Sequence, residues 1–109
     1  MLVWQKGKAI CIALYNATDN LPETEKYGVV AQVRRAAISV PSNIAEGHDR
    51  NSNADFARFL YIAFGSVREL ETLVEISDEI GYQIGTPTML DELDQDAKMI
   101  SSLIHKLEG

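Results

Sequence analysis

A chain of 109 residues suffices for one core and is too short for two, and a domain of this size hides about two thirds of the surface its unfolded form exposes. An apolar share of 46% beside a charged share of 24% is that of an ordinary globular protein, and no apolar run approaches the roughly 20 residues that span a bilayer. The net charge of −6 argues against indiscriminate nucleic-acid binding, and the single cysteine, Cys11, excludes an intrachain disulfide or a thiolate-rich zinc site.

Met1 to Trp4 is apolar, but Lys6 and Lys8 follow and no small-residue cleavage site appears, so the segment does not read as a signal peptide and a cytoplasmic location is expected. Loop signals at Asp19 to Pro22, Gly47 to Asn53 and Gly81 to Pro87 divide the chain into four helical stretches within one domain covering 1–109. The first, Val3 to Thr18, aligns Trp4, Gly7, Cys11, Leu14, Tyr15 and Thr18 at spacings of three and four. The second is expected to start at Pro22, which suits a first helical position, with Glu23 and Glu25 opposing the dipole, and to end at Gly47 as a C-terminal cap.

Ser52 with Asp55 three residues on gives a capping-box-like start to the third helix, Asn53 to Ile80, whose stripe is Phe56, Phe59, Leu60, Ala63, Val67, Leu70 and Val74. The fourth follows Pro87, with Thr88 as cap, Asp91, Glu92 and Asp94 near its positive end, and Leu90, Leu93, Ala97, Ile100, Ile104 and Leu107 on its buried side. Short links between helices of similar length favour an all-α, up-and-down antiparallel four-helix bundle.

Helix two carries two apolar arcs where a bundle needs one: Tyr27, Val30, Ala31, Ile38, Pro41 and Ala45, then Val29, Val33, Ala36, Val40 and Ile44. Helix three has a similar surplus in Ile62, Leu73, Ile76 and Ile80. Either central helices touch two neighbours within one subunit, or self-association covers the surplus; the second is the favoured expectation.

The run from Gln32 to Gly47, QVRRAAISVPSNIAEG, resembles the signature of the family known simply as four helix bundle proteins, and the match continues through Arg50 and from Phe59 to Thr72. Members include open reading frames inside intervening sequences of large-subunit ribosomal RNA genes. The resemblance implies a four-helix bundle that assembles into a ring of five subunits, with no established enzyme activity. A more remote similarity, to the accessory protein of diversity-generating retroelements, implies association with a reverse transcriptase and nucleic acid. The present chain departs from that relative in being acidic.

Pro41 inside helix two removes one N–H and crowds the carbonyl of Ala37, so a kink is expected there, with Ser39, Ser42, Asn43 and Glu46 forming a polar patch beside it. No paired histidine or lysine supports a nucleophile at Ser39 or Ser42, and no catalytic residue is assigned. Arg34 projects into the first apolar arc and needs a carboxylate; Glu69 is the expected partner, within or between subunits, with Glu46 or Glu71 as alternatives.

Arg35, Arg50, Arg58 and His48 are the candidate nucleic-acid-binding residues around the second loop, with Asp49 and Asp55 close enough in sequence to neutralise them. Residues 1–70 hold eight basic and seven acidic side chains, a balance of +1, while 71–109 hold two and nine, a balance of −7. Glu71, Glu75 and Glu79 make an acidic stripe that also fits a basic protein partner. No Glu-x-x-His pair appears, and neither a metal nor a cofactor is expected. The sequence therefore points to a non-enzymatic homo-oligomeric scaffold whose clients are RNA, DNA or a protein acting on them, with an acidic protein-binding adaptor as the alternative.

Overall fold

Four α-helices and no strand form the computed structural model, which describes residues 1–109: α1 is Leu2–Ala17, α2 Val29–His48, α3 Asn53–Glu79 and α4 Met89–Glu108. The Ser52 hydroxyl accepts from the Asp55 amide at 3.1 Å, so the expected cap of α3 forms. The Thr88 hydroxyl instead reaches the side chain of Glu92 at 3.1 Å and caps no backbone amide.

The start of α2 departs from expectation. Pro22 stands in extended backbone before a single 3-10 turn at Glu23–Glu25, and regular helix begins only at Val29, after a non-helical Gly28. The physical reason is burial. Pro22, Glu23, Thr24, Lys26 and Tyr27 are all exposed, so favourable first-turn charges had no apolar face to dock. The other end differs too: Gly47 is helical and buried rather than a cap, and a Cβ there would lie 2.7 Å from the Phe59 Cβ. It is a contact point between α2 and α3.

Each helix packs on its neighbours in sequence, and α1 closes the square against α4. The core runs from Val3, Ile10 and Leu14 on α1 through Val33, Val40 and Ile44 on α2, Leu60, Val67 and Leu70 on α3, to Leu93, Ile100 and Ile104 on α4. Of the two arcs on α2, the second supplies this core, while Ile38, Tyr27 and Ala45 of the first stay exposed. The helix passes through Pro41 without interruption, and the proline is itself buried.

The link from α3 to α4 is built around Asp78, whose Oδ1 accepts from the amides of Ile84 at 2.9 Å and Gly85 at 3.2 Å. That places Ile84 in the core and lets the chain leave α3 through Gly81, whose φ of 101° suits only glycine. Across the same end, the Glu25 carboxylate beside the Tyr82 hydroxyl holds that phenol above its ordinary value.

Candidate functional site

The loop from α2 to α3 gathers part of the expected basic patch. The guanidinium carbons of Arg50 and Arg58 lie 4.9 and 4.6 Å from the Phe59 ring centre, so one phenyl ring organises both. Each is also matched by an acid, Arg50 with Glu46 at 3.3 Å and Arg58 with Asp55 at 3.6 Å. His48 joins this end, edge-on to Phe56 with centroids 5.7 Å apart. Arg35 does not. Fifteen residues earlier, about 22 Å along the helix, it donates to Gln32 at 2.8 Å.

The expected pairing of Arg34 with Glu69 is not formed within the chain. Arg34 donates from Nε to the Thr18 hydroxyl at 3.0 Å and from Nη2 to the Tyr15 carbonyl at 3.0 Å, with Asp19 at 3.5 Å, and its guanidinium covers the Tyr15 ring. The arc that carries Arg34 faces α1, whose C-terminal carbonyls are short of donors, and this decides the outcome. Neither Glu46 nor Glu71 replaces Glu69: the former holds Arg50 and the latter Arg68. Glu69 accepts from Gln32 at 3.0 Å.

Ser39 and Asn43 belong to the outer seam between α2 and α3. Asn43 donates to the Ser39 carbonyl at 2.8 Å and to its hydroxyl at 3.0 Å, and the Ser39 and Ser66 hydroxyls meet across the seam at 2.9 Å. Ser42 is exposed beside them, and Glu46 turns toward Arg50. These side chains satisfy one another, a structural use of the polar patch around Pro41.

On the acidic half, Arg68 bridges Glu71 at 2.8 Å and Asp94 at 3.1 Å, and Lys98 and Arg68 together hold the Asp94 carboxyl below its ordinary value. Ser101, His105 and Glu108 line one hollow with Tyr61, but no hydrogen bond joins Ser101 to His105, and Glu108 is taken by the Tyr61 hydroxyl at 2.8 Å. No three His, Cys, Asp or Glu side chains gather as a metal site. No helix is long and apolar enough to cross a membrane.

Two long sides of the bundle keep large apolar side chains in water. On the side shared by α1 and α2, Ile12 is 54% and Ile38 49% exposed; on the side shared by α2 and α3, Ile62, Ile76 and Ile80 are 45%, 48% and 58% exposed. The seams are identified by their bonds: Arg34 to Tyr15 one turn from Ile38, and Ser66 to Ser39 one turn from Ile62. Exposed Lys8 lies along the first side, and Glu69, which accepts from Gln32, lies along the second.

Sequence reasoning missed Asp96. Its carboxylate is fully buried, and its oxygens are the buried side-chain atoms that find no hydrogen-bond partner. The signal was present in the stripe Met89, Leu93, Asp96, Ile100, where an acid occupies the step due to an apolar residue.

Residues 1–106 match the sequence pattern of the 23S rRNA-intervening sequence protein family. The crystal structure of a protein with unknown function from the S23 ribosomal protein family of Bacteroides thetaiotaomicron is similar in fold, with a TM-score of 0.71 over 96% of each chain at 24% identity. No curated protein matches the chain.

Proposed function

Because the chain belongs to the 23S rRNA-intervening sequence protein family, we propose that it is a non-enzymatic scaffold that assembles head to tail into a closed ring of about five copies and serves a nucleic-acid client. The observation that carries the reading is the pair of half-exposed isoleucine surfaces on adjacent sides of the square. Adjacent sides of a four-helix bundle face about 90° apart. A cyclic assembly needs its two contact patches about 90° apart for four copies and about 108° for five, so pairing one side with the other in the next copy closes at this size. Lys8 on one side and Glu69 on the other supply matching charge.

A two-variant mixing experiment tests this assembly. Ile38→Glu blocks the first side and Ile76→Glu the second, so each alone is a monomer of 12.1 kDa by light scattering. Mixed at equal amounts they retain one compatible contact and form a dimer that cannot grow. A wild-type chain that stays at the monomer mass at micromolar and higher concentrations overturns the reading.

The nucleic-acid client is supported by the family's name and by the Arg50 and Arg58 pair, which a ring repeats along one rim. Retention on immobilised RNA is expected to weaken steeply with added salt and to be lost in the Arg50→Glu, Arg58→Glu double variant. Retention that ignores salt, or survives both substitutions, removes the client. Copurification of a basic protein instead points to the acidic surface of α3 and α4 as an adaptor.

A further inference from the structure

Asp96 sits on α4 and faces α1, where the absent side chain of Gly7 makes its space: a Cβ at Gly7 would stand 3.6 Å from Asp96 Oδ2 and 3.1 Å from Val40. None of the ion pairs in the chain includes it. A neutral carboxyl tolerates such a place at modest cost, and a carboxylate does not, because a buried charge without a donor demands water or a counterion.

The helix above it is fastened unevenly. The C-terminal end of α1 is clamped to α2 through Arg34, which binds Tyr15 and Thr18. The N-terminal end has no side-chain cap and no acidic residue in its first turn, and no side-chain hydrogen bond or ion pair ties it to α4. Along its outer seam with α4 lie the exposed Leu2 and the half-buried Lys6, Met99 and Leu103.

We propose that Asp96 is a proton-operated latch for the N-terminal half of α1: protonated, it lets residues 2–10 lie closed against α4, and ionised, it draws water into the seam and lifts that half on a hinge at the Arg34 clamp.

Burial holds the carboxyl up to about 6, and the Lys6 ammonium on α1 pulls it partway back. The remaining surroundings carry no competing charge. The buried faces of α2 and α3 contain no titratable side chain, and that of α1 contains only the Cys11 thiol, which burial raises and which stays neutral in this range. The latch therefore works near neutrality, and it does not depend on the assembly proposed above.

Amide hydrogen exchange on the whole protein from pH 5 to 8, corrected for intrinsic rates, tests the latch. Protection of the bonded amides of residues 5–10 is expected to fall about tenfold with a midpoint near 6, while residues 14–18 and α3 hold theirs. Trp4, the sole tryptophan, gives a parallel fluorescence step. Asp96→Asn and Asp96→Ala abolish the step, and Lys6→Gln moves its midpoint upward. His48→Gln, which removes the imidazole beside Trp4, leaves the exchange step in place. A step that survives both Asp96 variants, or a loss of protection shared equally by all four helices, overturns the proposal.

Discussion

Arg34 donates from Nε to the Thr18 hydroxyl at 3.0 Å, tying the second helix to the end of the first. Thr18 is buried and also donates to the Leu14 carbonyl at 2.9 Å, so the arginine completes a closed set of bonds. Arg34→Ala is expected to cost about 1–2 kcal/mol in urea unfolding, and Arg34→Lys to recover little of it because an ammonium cannot reproduce the planar fork. Glu69→Gln is expected to stay within about 0.5 kcal/mol of wild type, as its partner is a glutamine.

Two glycines in helices are expected to respond to alanine with opposite signs. At Gly47 the new methyl meets Phe59 at 2.7 Å and Phe56 at 3.0 Å, so Gly47→Ala destabilises by about 1–3 kcal/mol despite alanine's helix preference. At Gly65 nothing lies within 4 Å, and Gly65→Ala stabilises an isolated chain by about 0.5–1 kcal/mol. Denaturant midpoints of the two variants check the contrast. If Gly65→Ala instead weakens self-association, the backbone of a second copy approaches there.

The acid in the core sets a pH dependence of unusual direction. Asp96 is held at about 6 in the folded chain, against about 3.9 for a free aspartate, so between these values the folded state keeps a proton that the unfolded state has released. Its contribution to stability is whole below about pH 4, falls as pH rises through about 6, and has dropped by about 3 kcal/mol at pH 8. Relative to wild type, Asp96→Asn is expected to gain by up to that amount between pH 4 and pH 8, read from urea midpoints at each pH.

Asp78→Ala strands the amides of Ile84 and Gly85 and loosens the seat of Ile84. A loss of about 1–3 kcal/mol is expected, with exchange of the Ile84 and Gly85 amides rising before that of the core helices.

Periodicity located all four helices because each buries a continuous stripe, and the Ser52 cap was readable as chemistry confined to four residues. The start of α2 was not readable. Pro22 and two glutamates satisfy every local rule for a helix, and only the three-dimensional fact that Pro22, Glu23, Thr24, Lys26 and Tyr27 all stay exposed overrides them. Arg34 illustrates a second limit. Its need for a partner followed from its place in an apolar arc, but which neighbour that arc meets is set by the packing of α1 on α2, so a hydroxyl, a carbonyl and the Asp19 carboxylate at the end of α1 met the need in place of Glu69. Of the site residues, Arg50, Arg58 and His48 converge because one short loop joins their helices, whereas Arg35 shared only a sign of charge with them.

The short clasp at Asp78 also bears on how the chain acquires its shape. Its bonds span six and seven residues, so the loop they close is small and its entropic cost low, and the exit from α3 is set by contacts local in sequence. The first helix has no such local device for its contact with the fourth: it rests chiefly on α2, the next helix in sequence, and meets α4 only across the whole length of the chain.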